Sequence, residues 1–204
     1  MKTTAIAIAT IVTLTSSAFA EKLVFDFKDP KNVNTIRFTL DAPLETISGT
    51  ASEISGTVTA DPENPADIEG TIVVQAQSLH VPNPVMKQHM HGEEWLDVTT
   101  HETIKFELKE VSNVKRDGDK GTADVKGTFT LRGISKDITV PVRVTYLPGR
   151  LADRSPGVEG DLLVIRSDYT IKRSDFGIKP GQAEDKVADE INVSLSIAGA
   201  APKG

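Results

Sequence analysis

Four histidines are the main candidates for metal binding or proton transfer in this chain, and their spacing decides what they can do. His89 and His91 form an H-x-H pair, with His80 upstream and His101 downstream. On a strand, residues i and i+2 share a face and can chelate zinc or copper. Here the pair falls in a segment that reads as helix, where i and i+2 diverge by about 200° and cannot share an ion. The pair is therefore read as exposed or capping, with a His-based metal or redox site as a weaker alternative. His101-Glu102 starts like a zinc-protease helix, but the residue four beyond His101 is Lys105, so the second ligand is missing. Cysteine is absent, which removes thiolate nucleophiles, disulfides and thiolate metal sites. No G-x-S-x-G frames a serine, and no Gly-rich phosphate loop is present. Asp117-Gly118-Asp119 stops after two carboxylates, which suits a hairpin turn better than a calcium loop. Asn192-Val193-Ser194 matches a glycosylation sequon but lies inside a predicted strand. No residue is assigned a catalytic or metal-binding role, and the chain is not expected to be an enzyme.

What the sequence offers instead is apolar surface in alternation. Residues 126–144, with the residues just before and after them, put Ala123, Val125, Phe129 and Leu131 on one face. After Arg132-Gly133 they put Ile138, Val140, Val142, Val144 and Tyr146 on one face. A period of two predicts two antiparallel strands, each apolar on one side and wet on the other. Residues 133–137 suit the short loop between them, and Pro141 on the polar side suggests an edge position or a bulge. The same alternation runs through Leu23, Phe25 and Phe27; Ile36, Phe38 and Leu40; Ile54, Val58 and Ala60; and Ile68, Ile72, Val74 and Ala76. It returns in Ile104, Phe106 and Leu108; in Leu163, Ile165, Tyr169 and Ile171; and in Ile191, Val193, Leu195 and Ile197. About nine strand-like segments result, joined by turn signals such as Asp61-Pro62 and Pro148-Gly149. Strands that bury one face and carry short connections predict an antiparallel sandwich or a closed barrel.

One segment breaks the alternation. Asn83-Pro84 reads as a helix N-cap followed by proline at the first helical position. Met86 and Met90 follow at i and i+4, so one or two helical turns are expected there, covering one end of a barrel. Trp95, the sole tryptophan, lies where this segment returns to the sheet.

The first twenty residues read as an export signal: Lys2, an apolar run over residues 5–14, then Ala18-Phe19-Ala20 as a cleavage site. The run is too short to span a bilayer. Cleavage after Ala20 would send a soluble chain out of the cytoplasm. A domain over residues 21–198 is expected, with a flexible tail at 199–204. The net charge of −6 argues against nucleic acid or an anionic bilayer as the main partner.

The interior of an eight-stranded barrel is just wide enough to be filled by side chains or to hold one small ligand. The inward faces are mostly aliphatic, with seven Phe and two Tyr in the whole chain. Alternation alone leaves the two readings level: a filled core acting as a structural or stress adaptor through its surface, or an aliphatic slot.

Four blocks, in order, bear on that choice. The segment from Gly127 to Val142, GTFTLRGISKDITVPV, resembles the G-x-L-T-L-x-G-V-T-K-x-V-T-L-x-V hairpin of the YceI-like family. Gly56-Thr-Val-Thr-Ala-Asp-Pro62 with Asn64-Pro65 resembles that family's G-x-x-x-x-D-P-x-N-P turn. His89-Met90 followed by Trp95-Leu96-Asp97 resembles its H-L…F-L-[DN] element, and Arg173-Ser-Asp-Phe-Gly-Ile178 resembles its R-x-D-F-G-I block. The resemblance covers residues 22–198 and implies an extended lipocalin-like antiparallel barrel of about eight strands, exported to the periplasm. It implies no catalysis and no cofactor beyond a non-covalently held lipid: a polyisoprenoid, a quinone-type tail or a fatty-acyl chain. It also implies no stable membrane insertion; a monomer or homodimer is expected.

Strand parity combined with the resemblance places Phe106, Phe129, Leu131, Val140, Val142, Val144, Tyr169 and Ile171 along the tunnel. Met86, Met90 and Trp95 would stand near its cover. His89 is expected either to orient a ligand head group or to fix the helix to the barrel, and Arg173 and Asp175 to secure the turn before the last strand. Three stretches depart from the family pattern and are expected around the mouth: Leu40-Asp41-Ala42-Pro43, Met86-Lys87 and His101-Glu102.

Overall fold

Residues 22–61 and 64–203 are described by a computed structural model, in which the predicted alternation is realised as ten antiparallel strands. They are β1 (Leu23–Asp26), β2 (Thr35–Asp41), β3 (Thr46–Ala51), β4 (Ile54–Asp61), β5 (Asn64–Gln75), β6 (Thr103–Asp117), β7 (Lys120–Leu131), β8 (Ile134–Leu147), β9 (Gly160–Lys172) and β10 (Glu190–Pro202). Eight of them close a barrel in the order β1-β4-β5-β6-β7-β8-β9-β10, with β10 returning to β1 through Asp26 and Ala200. The β2–β3 hairpin adds to the same side of β10 further along, from Asn192 to Ser196. The outer edge of β3 is covered by a short bridge in which Thr50 and His80 exchange both backbone hydrogen bonds, 2.9 and 2.8 Å. That bridge pairs one end of the strand edge.

The expected parity holds where it was most informative. Val125, Phe129, Leu131, Val140 and Val142 are all buried on the inner face, while Lys126, Asp137 and Arg143 face out. The loop between β7 and β8 is tighter than the expected 133–137. It is the two residues Arg132 and Gly133, with φ of 49° and 72°. Positive φ at both central positions is the turn whose twist matches the flanking strands. Pro141 lies within β8, paired with Asp124 of β7, where the ladder to β9 has not yet begun; that ladder starts at Val142 opposite Ser167. Its carbonyl accepts from Ser167 Oγ at 2.6 Å, so the side of Pro141 that lacks an N–H faces β9 at a point where no ladder bond is made.

Three further expectations change. Strand β3 has no counterpart among the expected segments. Residues 199–202, expected as part of a flexible tail, continue β10 as far as Pro202 opposite Gly160, because small residues there let β1 and β9 pack on either side. A one-turn helix, α2 (Leu151–Arg154), joins β8 to β9 in addition to the expected helix. The expected export signal and Pro62 of the Asp61-Pro62 turn lie outside the described residues.

The seam where the barrel closes is polar and fully bonded. The buried Asn34 side chain donates to the carbonyls of Phe27 and Ala198 and accepts from Ala198 N–H at 2.9 Å and from Arg154. Asp29 accepts from the N–H groups of Lys31, Val33 and Asn34 and pairs with Arg154 at 2.7 Å. The core around this seam holds Phe25, Phe27 and Ile197, all essentially inaccessible.

Candidate functional site: a through-running apolar cavity

The inward faces do not meet. They enclose a cavity of about 700 Å³ that runs from the tip of the β6–β7 hairpin to the helix α1 (Pro84–His91), so the interior is not the filled core that one reading allowed. The volume falls within the range of about 300–1,000 Å³ usual for small-molecule sites. The middle of the wall is hydrocarbon: Phe25, Ile36, Phe38, Ile72, Val74, Phe106, Val125, Val142, Ile165 and Ile197 among others. Polar groups gather at the ends, with Lys115, Arg116, Asp119 and Lys120 at the hairpin tip and Glu45, Asn83, His89 and Lys186 beside α1.

All twelve residues singled out in the sequence stand on this one cavity: Phe106, Phe129, Leu131, Val140, Val142, Val144, Tyr169, Ile171, Met86, His89, Met90 and Trp95. Each strand contributes through its parity, and α1 contributes through its i, i+4 spacing, which turns Met86 and Met90 onto the barrel core together. The helix begins where expected. Asn83 accepts from the N–H groups of Val85 and Met86 at 3.0 and 3.1 Å, and Pro84 occupies the first turn. No residue of α1 is fully buried, so it rests on the opening as a thin cover.

His91, not His89, ties this helix down: its Nε2 lies 2.8 Å from the Leu79 carbonyl oxygen. His89 is exposed at the rim. The H-x-H pair is thus split between two tasks, as helical geometry demands. Trp95 packs half-buried against the cluster that holds Phe129, Leu131 and Ile171, with the Lys179 ammonium 5.2 Å and the Arg173 guanidinium 5.8 Å from its ring centre.

Arg173 secures the segment before the last strand by a route the sequence does not display. Its guanidinium is 1% exposed and donates to five backbone carbonyls, those of Ile178, Lys179, Gln182, Val187 and Ala188. The loop over residues 177–189 is wound around this one side chain and brings Ala183, Lys186 and Val187 to the cavity rim. The expected partner Asp175 is exposed; Asp189 instead accepts from Ser174 N–H and Oγ, at 2.9 and 2.8 Å. Of the three stretches expected at the mouth, Leu40 and Met86 line the cavity. His101 and Glu102 do not: the His101 ring lies against Gly133, and the Glu102 carbonyl accepts from Ala76 N–H at 2.8 Å.

The residues singled out in the sequence come mainly from β6 to β9, and the facing wall, including Phe25, Ile36, Phe38, Ile47 and Val74, is not among them. The signal was available for most of these, since the alternation in β1, β2, β4 and β5 already marked their inner faces. Ile47 of β3 had no such marker.

Among the described residues, no helix is long and apolar enough to cross a membrane. A model of the YceI-like domain matches residues 29–198. A UPF0312 protein of Pseudomonas aeruginosa is 27% identical over 151 residues, which cover 74% of this chain and 72% of that one. Among solved structures, BcnA of Burkholderia cenocepacia is similar with a TM-score of 0.67 at 20% identity, over 81% of this chain and 95% of that one. A polyisoprenoid-binding domain from Saccharophagus degradans implicated in plant cell wall breakdown is similar with a TM-score of 0.64 at 12% identity, over 89% of this chain and all of that one.

Proposed function

The chain belongs to the YceI-like family, and from that footing we propose that it is a non-catalytic carrier that holds one long-chain apolar ligand inside its barrel. The observation that carries the reading is the cavity of about 700 Å³, hydrocarbon along most of its length with charged groups gathered toward its two ends. An amphiphile fits that pattern: its chain replaces water against aliphatic walls, each buried CH₂ contributing about 0.8 kcal/mol, while a polar end stays at a rim. The Saccharophagus degradans neighbour, whose description names polyisoprenoid binding, supports a ligand of the isoprenoid or acyl-chain class. The leader-like pattern of residues 1–20 supports export, and the periplasm is the proposed location. There the protein would meet lipids leaving or entering a membrane without itself inserting.

The function is tested on protein isolated from its own periplasm, by native mass spectrometry followed by solvent extraction. A reproducible co-purifying lipid of one class is the expected result. Protein that carries none, and takes up no alkyl-chain probe after delipidation, would overturn the proposal.

A further inference from the structure

The cavity wall is so uniformly apolar that each polar atom on it between the two rims has to be accounted for. Three hydroxyls face that stretch: Tyr146, Ser167 and Tyr169. Tyr146 donates to the Asp161 carboxylate at 2.6 Å, and Ser167 donates to the Pro141 carbonyl at 2.6 Å. The Arg173 guanidinium, which also reaches the wall, is taken up by its five carbonyls. No hydrogen bond joins Tyr169 to another described residue, and its oxygen is not sealed off in the packing but open to the cavity that the residue lines.

Tyr169 packs against two buried clusters, one that holds Ile171 and Val193 and one of Val125, Val140 and Val142. Burial pushes the pKa of its phenol up to about 12, and no charged group contributes, so the hydroxyl stays protonated and remains a donor. A phenylalanine would fill the same space without presenting a polar atom to an apolar cavity, so the hydroxyl there calls for a partner within the cavity. A water molecule is a poor partner there, because a buried water needs two to four polar neighbours and the protons of the neighbouring Tyr146 and Ser167 hydroxyls are already committed to Asp161 and Pro141. Tyr169 lies four residues before Arg173 in the chain, about 13 Å along the strand direction at 3.3 Å per residue, well beneath the cover.

Building on the carrier reading, we propose that Tyr169 selects the ligand by donating a hydrogen bond to an oxygen it carries inside the barrel. The ligand is then a carbonyl-bearing lipid (an ester, ketone or amide) and not a plain hydrocarbon. Its oxygen is held at the level of Tyr169, and its alkyl part fills the remaining cavity toward the β6–β7 hairpin.

The test compares methyl palmitate with hexadecane on the delipidated full-length exported protein, wild type against Tyr169→Phe. Affinity is read by displacement of a fluorescent acyl probe, and the carbonyl stretch of bound methyl palmitate is read by infrared spectroscopy. Tyr169→Phe should weaken methyl palmitate about five- to tenfold and leave hexadecane unchanged, which also reports that the barrel is intact. The carbonyl stretch should shift to lower frequency on binding to wild type and lose that shift in the variant. Equal effects on both probes, or no effect on affinity and stretch, would overturn the role of Tyr169 while leaving the carrier reading in place. Wild-type protein that binds neither probe would instead bring down the carrier reading, and this inference with it.

Discussion

Replacing Val142 with phenylalanine sets a ring across the middle of the cavity, between Ala123 on β7 and Ser167 on β9. The cavity volume of about 700 Å³ sets what the ring should do. If a methylene occupies about the 30 Å³ that water takes in the liquid, the cavity holds roughly 20 carbon atoms. Each methylene contributes about 0.8 kcal/mol, which is roughly fourfold in affinity. Saturated acyl probes should therefore bind the wild-type protein more tightly with each added carbon, then level off as the cavity fills. The Val142→Phe variant should level off at about half that length, because the distal half is no longer reachable. Chains long enough to pass the ring should lose at least about tenfold, while chains that stop short of it keep their affinity. The measurement is a series of calorimetric titrations across chain lengths on delipidated protein, with a melting curve for each variant. An equal loss at every length, or wild-type affinity that ignores chain length, would refute a lipid chain threaded along this axis.

Three other perturbations test the parts that hold the site in shape. For Asp29, burial raises the carboxyl, but hydrogen bonds from Asn34, Val33 and Lys31 and the charge of Arg154 outweigh it and hold the pKa below the usual range. Its contribution is therefore complete at neutral pH and is lost as pH falls below about 4, so melting temperature should drop there and the drop should shrink in Asp29→Asn. Arg173→Met strips five carbonyls of their donor and should cost about 3 kcal/mol in urea unfolding, with hydrogen exchange rising first across residues 177–189. In Gly127→Ala the new Cβ would stand 2.6 Å from the Glu107 carbonyl oxygen and closer still to Phe106 Cζ. That crowding should cost about 1–3 kcal/mol by thermal melting and should also shorten the longest acyl chain bound, since the ring can yield only into the cavity.

The parts of this fold that were legible in the sequence are those where one chain segment carries its own periodic signal. In β7 and β8, alternation named the inner face correctly because a period of two is fixed by the strand itself. The Asn83-Pro84 cap named the start of α1 because both the side-chain acceptor and the missing N–H are local. Strand β3 was hidden for the opposite reason. Its sequence TISGTA has Gly49 where an inward side chain would mark the pattern, and the space is filled from outside by the Phe38 ring of β2. The five carbonyls around Arg173 come from irregular chain, and no spacing rule connects them. Tyr169 was placed on the right face by parity, but only the completed barrel shows that Ser167 and Tyr146 have partners and that Tyr169 has none among the described residues.

Why the interior stays open follows from the way large side chains are stored. A barrel of eight strands can be closed by its own side chains, and this one contains enough phenylalanine to do much of that. Yet the rings of Phe38 and Phe106 are folded back onto the wall. Phe38 lies over Gly49 on the adjacent strand, and Phe106 lies over Gly127; in each case a Cβ added to the glycine would stand within 2.8 Å of the ring. A glycine opposite an aromatic ring serves as a recess in the sheet, which covers exposed backbone and keeps the ring out of the lumen. Several other inward positions near mid-barrel are small or medium: Ala123, Val125, Val142 and Ile165. Close packing is the rule for protein interiors, so a void of this size lined by well-seated side chains is an interior built around something that is not the chain itself. The hydrophobic alternation that closes the barrel and the glycine recesses that keep it hollow are therefore separate requirements, and only the second distinguishes a carrier from a plug.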